Sequence, residues 1–103
     1  MNYANFHGYT DVEPYEITKR ISEKTIEVRP MDSERDPNWK PEFIPGGFSA
    51  HCPNQYSQKW IISSNEEYTP IRIRLSKNKG WQDKYGRRFN LADEPRKFYD
   101  YNF

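Results

Sequence analysis

The chain has 103 residues, enough for one domain, since two separate cores of this size would each bury too little surface to offset chain entropy. Only 34% of the residues are hydrophobic, but 17% are aromatic, so rings make up half of the apolar set. A net charge of +1 together with many rings argues against a disordered chain, although 30% of the residues are charged. We therefore predict a single domain over residues 1–103 with a small aromatic core.

The cysteine content and the N-terminus indicate a compartment. Cys52 is the single cysteine, which excludes an internal disulfide and fits a reducing environment. The opening "MNYANFHGYTD" lacks the basic and apolar segments of a secretory signal. No apolar run approaches the roughly 18 residues that a membrane-spanning helix needs. The sequence predicts a cytoplasmic protein without a membrane partner.

The first clear element in chain order is a hairpin in "YEITKRISEKTIEVRP". Tyr15, Ile17 and Ile21 share one face of an extended strand, and residues 22–24 form a polar break before a second alternating run. Pro30 lacks a backbone donor, so it should end the second strand or place that strand at an edge of the sheet.

Residues 31–58 differ from the rest because they hold four prolines and two glycines. No helical period survives there, and a central strand is not expected. We predict an ordered loop insertion, with the charged "DSERD" as its mobile part. Four apolar side chains of this loop should cover one end of the domain: Trp39, Phe43, Ile44 and Phe48.

The β pattern returns after residue 58. "KWIIS" and "IRIRL" are predicted strands, and "SKNKG" is a turn in which Gly80 supplies a positive φ. "GWQDKYGRRFNL" is typical of a hairpin around residues 84–86 that pairs Trp81 with the strand of Phe89 and Leu91. The aromatic ending "EPRKFYDYNF" is predicted to be a final strand.

Five or six short strands at intervals of about ten residues are typical of a small barrel or sandwich. No stretch has the period of an amphipathic helix. The predicted fold class is mainly β: an SH3-like or similarly small, partly open barrel on which the loop insertion packs.

Patterns that would indicate catalysis are weak. Neighbouring residues of an extended chain point to opposite sides, so His51 is poorly placed to activate Cys52, and we interpret Cys52 as a structural thiol. One cysteine and two distant histidines fall short of a zinc site. Gly46 and Gly47 lack the residues of a phosphate-binding loop and are interpreted as a turn. The sequence predicts no enzyme, no catalytic residue, no metal, no cofactor and no small-molecule substrate.

The most informative pattern combines cations with aromatic rings in the C-terminal half. Residues 1–50 carry six Lys and Arg against nine Asp and Glu, whereas residues 51–103 carry ten against six. If neighbouring strands pair as predicted, the cations share one side of the sheet with a ring, either Trp81 or Tyr85, nearby. Such a surface suits phosphates and bases, but it also suits a protein partner or a solvated strand. The predicted binding residues are Arg72, Arg74, Lys77, Lys79, Trp81, Arg87 and Arg88.

Three segments carry a resemblance: "KPEFIPGGFSAHC", "IRIRLSKNKGWQDKYGRRFNL" and "EPRKFYDYNF". The sequence over residues 8–103 resembles a family of small proteins encoded by phages, prophages and other mobile elements of bacteria. No catalytic residue is assigned in that family. Proteins of this kind are often counter-defence factors, and some are anti-CRISPR proteins that block a Cas effector or its guide RNA loading.

The resemblance implies a non-enzymatic inhibitor in the bacterial host cytosol, with a Cas effector as partner and RNA as a further partner. An inhibitor of this kind needs only a rigid surface with aromatic and Arg anchors. The net charge argues against DNA mimicry, which requires a strongly negative surface. Two alternatives stay open: a nucleic-acid-binding barrel for phage replication or regulation, and a structural phage component.

Overall fold

The structure is a computed structural model that describes residues 1–42, 44–46 and 49–101. Strands dominate this part of the chain, and its one helical element is the short 3-10 turn Gln55–Ser57. In chain order the strands are β1 (Tyr3–His7), β2 (Val12–Glu13), β3 (Tyr15–Ser22), β4 (Thr25–Pro30), β5 (Asp32–Arg35), β6 (Ile44–Gly46), β7 (Ser49–His51), β8 (Trp60–Ser63), β9 (Ile71–Ser76), β10 (Gly80–Gln82) and β11 (Arg88–Ala92).

Six strands form a closed antiparallel barrel in the order β11-β10-β9-β4-β3-β1, and β1 pairs with β11 to close the ring. The short strand β2 pairs with β1 outside this ring. The mainly β small barrel predicted from the sequence is confirmed, but it is closed. The difference arises from β1, which the sequence analysis did not identify as a strand and which supplies all five residue pairs of the closing ladder.

The barrel core contains Ala4, Ile26, Val28, Ile73 and Phe89, all of them almost fully buried. These residues come from β1, β4, β9 and β11, so the core forms only when distant parts of the chain meet. Burying an aliphatic or aromatic side chain of this size stabilises a fold by about 1.5–3 kcal/mol. The rings of Phe6 and Tyr15 pack against Phe89, with centroids 5.5 and 5.0 Å from its own.

The predicted hairpin of β3 and β4 is confirmed, and β4 ends at Pro30 as expected. The face of β3 on which Ile21 lies differs from the prediction. The register shifts between Ile17 and Lys19 and again between Arg20 and Ser22, which are β-bulges or similar irregularities. Each extra residue reverses the direction of the side chains that follow. Ile21 is therefore 41% exposed and does not share the buried face of Ile17.

The loop insertion contains more regular structure than predicted. "DSER", expected to be mobile, is β5, and it pairs with β8 in a two-stranded sheet that is separate from the barrel. A second small sheet joins β6 and β7. Trp39 is buried as predicted, but it packs against Tyr101 with ring centroids 5.6 Å apart. Phe43, Gly47 and Phe48 lie outside the described residues, as does the side chain of Ile44.

The predicted C-terminal strand is wrong for the described residues 94–101, of which only Phe98 forms a β-bridge, with Val12. Side chains replace the ladder beyond that point. The backbone N–H of Tyr99 donates to Gln58, and that of Tyr101 donates to Gln55, at 2.8 and 2.9 Å. Once side-chain amides bind these backbone groups, no neighbouring strand is needed to satisfy them.

Candidate functional site

A cleft of about 630 Å³ opens in the barrel wall between β9 and the turn at residues 83–87. It forms because β10 pairs with β9 only from Ser76 to Arg74 and ends at Gln82, after which the chain leaves the sheet. Four cations and one carboxylate line the cleft beside an aromatic ring: Arg72, Arg74, Lys84, Arg87, Asp83 and Tyr85. The lining is therefore strongly positive.

Asp83 organises the turn that forms one wall of the cleft. Its Oδ1 accepts hydrogen bonds from the backbone N–H groups of Tyr85 and Arg87, at 2.9 and 3.0 Å. Its Oδ2 accepts from Nε of Arg87 at 2.5 Å. Gly86 completes the turn with a φ of 82°, a conformation that favours glycine. The cleft wall is thus fixed before any partner binds.

Burial and hydrogen bonding act in opposite directions on Asp83. Burial of the side chain, which is only 3% exposed, would raise the pKa of the carboxyl. The hydrogen bonds from Arg87 and from the backbone favour the charged form, and the net pKa is below the ordinary value of 3.8. Asp83 therefore remains ionised and neutralises part of the charge of Arg87.

Arg87 is a structural cation as well as a cleft residue. Besides its ion pair with Asp83, its guanidinium lies over the ring of Phe6 at 5.3 Å and over that of Tyr85 at 5.9 Å. The contact with Phe6 ties the turn to β1. Arg87 has less freedom to bind a partner than the sequence prediction assumed.

The two arginines of β9 differ in their surroundings. Arg72 lies opposite Glu27 on β4, and their side chains form an ion pair at 3.6 Å. Arg74 lies opposite Thr25 on one side and Gln82 on the other, and it forms no ion pair among the described residues. Arg74 is therefore the cation of this strand with the most freedom to meet an anionic group.

Tyr85 is the ring that accompanies the cations. It is 73% exposed at the tip of the turn, and Nζ of Lys84 lies 5.0 Å from its centroid. Trp81, the other predicted ring, faces the barrel interior, where it lies between Leu75 and Phe89 and packs against the core. The structure therefore makes Tyr85 the aromatic residue of the cleft.

The structure divides the predicted binding residues between separate places. Arg72, Arg74 and Arg87 line the cleft, and Lys77 lies exposed in the turn between β9 and β10. A second depression, of about 480 Å³, is lined in part by the remaining three: Lys79, Trp81 and Arg88. Arg88 lines a different depression from Arg74, but both residues lie opposite Gln82 in the register of the sheet and therefore share its outer face.

Two residues that shape the cleft were not identified from the sequence. Asp83 carried a local signal, because an Asp before a glycine-containing turn often binds backbone N–H groups of that turn. Glu27 carried no such signal, since its pairing with Arg72 depends on the register of two strands that are 45 residues apart.

Cys52 is buried, and its thiol donates to Oδ1 of Asn54 at 3.2 Å. The same oxygen accepts from the backbone N–H of Glu42, while the Asn54 amide donates to the carbonyl of Lys40. The thiol thus lies within a network that holds the loop insertion together. The side chain of His51 is outside the described residues.

Within residues 1–42, 44–46 and 49–101, no group of three His, Cys, Asp or Glu side chains is arranged to hold a metal ion. None of the described helical structure has the length and apolar character that crossing a bilayer requires.

Comparisons of the chain with protein-family models, with curated proteins and with solved structures find no match.

Proposed function

We propose that this protein is a non-enzymatic binding protein that holds an anionic partner against the cleft between β9 and the turn at residues 83–87. The observation that carries the proposal is that Arg74, which has no ion-pair partner in the described chain, and the exposed ring of Tyr85 line the same cleft. Arginine and tyrosine are enriched among the residues that dominate binding energy at interfaces. The fixed turn lowers the entropy lost when a partner is bound.

The proposed partner is a Cas effector, and the proposed role is that of a phage-encoded counter-defence inhibitor acting in the bacterial cytosol. The resemblance of residues 8–103 to small mobile-element proteins supports this part of the proposal. Inhibition proceeds by competition for a protein surface of the effector or for its guide RNA, since the net charge of +1 does not suit DNA mimicry.

DNA cleavage by purified Cas effectors tests this proposal, with the protein added before or after the guide RNA. We expect cleavage to fall in the presence of excess protein. Inhibition that occurs only when the protein is added before the guide RNA would indicate blocked guide loading. Arg74→Glu should restore cleavage. The matched control is Lys59→Glu, which makes the same charge change just before β8. If the protein does not reduce cleavage by any of the effectors, a Cas effector is excluded as the partner.

Arg74 is a cleaner target than Arg72. Arg72→Glu would place a carboxylate opposite Glu27, so the variant would also carry like-charge repulsion between β4 and β9. A binding defect of the Arg72 variant alone would mix these two effects.

A second candidate function is binding of single-stranded nucleic acid in phage replication or regulation. The exposed Tyr85 ring beside Lys84 favours it, because bases stack on such rings while cations contact phosphates. A gel-shift series with oligouridylate should then show a complex that weakens steeply with salt and is lost in Tyr85→Ala. The absence of a complex at micromolar protein and low salt would exclude this candidate.

A further inference from the structure

The backbone of β9 has an unpaired edge in the cleft. The N–H of Leu75 donates to the carbonyl of Lys24, just before β4, at 2.8 Å. The backbone groups of Leu75 therefore point towards β4. Backbone groups of successive residues in an antiparallel strand point alternately to the two neighbours. Those of Ile73 therefore face β4, and those of Arg74 and Arg72 face β10.

β10 is too short to pair with this whole edge. Its last residue, Gln82, is opposite Arg74, and the chain then turns away at Asp83. In the described part of the chain, no strand pairs with the N–H and C=O of Arg72 on the cleft side. An unpaired edge of this kind is a template for an added strand.

We propose that a short extended segment of an acidic polypeptide binds in the cleft by adding to β9 as a strand along the line of β10. This proposal rests on the proposed binding function and specifies its mode. The N–H and C=O of Arg72 supply backbone hydrogen bonds to the segment. The wall formed by the turn at residues 83–87 limits the paired part to a few residues.

The charges of the cleft select the sequence of the bound segment. Four cations against one carboxylate leave a positive excess, and that carboxylate, Asp83, already pairs with Arg87. The Arg72 side chain is 53% exposed and its ion pair with Glu27 is long, at 3.6 Å, so Arg72 loses little by turning to a new carboxylate. Side chains of an added strand alternate between faces. The position opposite Arg74 is occupied by Gln82, so Arg74 lies diagonal to the segment. We expect Asp or Glu opposite Arg72 and at alternate positions from there, with apolar residues between them.

The unpaired backbone favours a polypeptide over a nucleic acid. Cations and a ring suit both kinds of partner, but only a polypeptide carries N–H and C=O groups at the spacing of a strand. The contribution of the Arg72 backbone N–H therefore separates the two.

The test measures the affinity of a fluorescein-labelled nine-residue peptide of alternating Glu and Val by fluorescence anisotropy. Arg72→Pro removes the guanidinium and the backbone N–H, whereas Arg72→Ala removes only the guanidinium. The N–H of Arg72 does not face β4, so proline at this position leaves the β4 ladder complete. We expect Arg72→Pro to bind the peptide about tenfold more weakly than Arg72→Ala does, which corresponds to one backbone hydrogen bond.

A second measurement does not depend on how a variant folds. The same peptide with N-methylated alternate backbone amides should bind the unmodified protein at least about tenfold more weakly. Equal affinities of the two peptides would overturn strand addition, as would the absence of peptide binding. Tighter binding of oligouridylate, with no difference between Arg72→Pro and Arg72→Ala, would also overturn it. Inhibition of a Cas effector that Arg74→Glu relieves would still support the proposed function in each of these cases.

Discussion

The barrel and the outer segment, residues 31–70, are built by different means. In the barrel, strand ladders satisfy the backbone, and alternating apolar residues meet in one core. In the described part of the outer segment, the strands are short, and the side-chain amides of Asn54, Gln55 and Gln58 bind backbone groups of neighbouring segments. Prolines explain the difference, because each lacks the N–H that a ladder requires. A polar side chain can replace a ladder where the backbone cannot form one.

The two regions meet at a small polar cluster. The Arg29 guanidinium forms an ion pair with Glu16 at 2.5 Å within the barrel, and the hydroxyl of Ser64 donates to the other oxygen of Glu16 at 2.6 Å. Burial would raise the pKa of Glu16, but the hydrogen bonds from Ser64 and Arg29 and the charge of Arg29 lower it overall. The contact at this cluster is therefore electrostatic and directional, unlike the apolar core.

The largest expected effect concerns the core. Ile73→Ala should lower the free energy of unfolding by about 3 kcal/mol, because it leaves a cavity at a fully buried position. Ile61→Ala is the matched control, since Ile61 lies on β8 in the outer segment and is 52% exposed. We expect the control substitution to lower the free energy of unfolding by less than about 1 kcal/mol. Urea unfolding followed by circular dichroism measures both, and equal losses would contradict the distinction between the regions.

Asp83→Asn should lower the free energy of unfolding by a smaller amount, about 2 kcal/mol at pH 7, because it removes a charged acceptor of three hydrogen bonds. The folded-state pKa of Asp83 is lowered, so its stabilisation is complete above the ordinary pKa and disappears as the pH falls through the folded-state value. The difference between the variant and the original protein should therefore shrink towards pH 2.

Asp93→Asn is the control for this pH series. Asp93 is largely exposed and pairs only with the N-terminus among the ion pairs of the described residues, at 3.6 Å. An exposed pair of this kind contributes little to stability, so we expect a small effect at every pH. An Asp83→Asn effect that stays constant with pH would contradict the role given to the carboxylate.

The smallest expected effect on global stability is that of Gln58→Ala. The Gln58 amide donates to the carbonyls of Gln55 and Tyr99, and its oxygen accepts from the indole of Trp60 and the N–H of Tyr99. Four bonds use its full capacity. Its loss should speed hydrogen exchange of the Tyr99 amide about tenfold, while the barrel amides change little.

Gln82→Ala provides the comparison within the barrel, because the Gln82 amide makes a single 3.3 Å hydrogen bond to the carbonyl of Gly86. We expect no change at Tyr99 in that variant. If Gln58→Ala speeds exchange throughout the barrel, the two regions unfold as one unit and the local role of Gln58 is wrong.

Local patterns predicted much of the barrel. Short stretches of sequence predict the alternation in β9, the turn at Gly80 and the pairing of Trp81 with the strand of Phe89 and Leu91, and all three are confirmed. β1 was missed because its burial depends on β11, which is 80 residues away in the chain. The mispredicted final strand failed for a related reason: its rings indicated burial, which the structure supplies by side-chain contacts and not by a ladder.

The candidate site divides in the same way. The types of side chain that line it, cations beside a tyrosine, are fixed by the sequence, and so is the turn that presents Tyr85. Only the tertiary structure decided that β10 ends before the edge of β9 is paired, that Arg72 faces Glu27, and that Trp81 points inwards. Alternation and turn chemistry depend on neighbouring residues, whereas register and closure depend on the packing of distant strands, which no local pattern encodes.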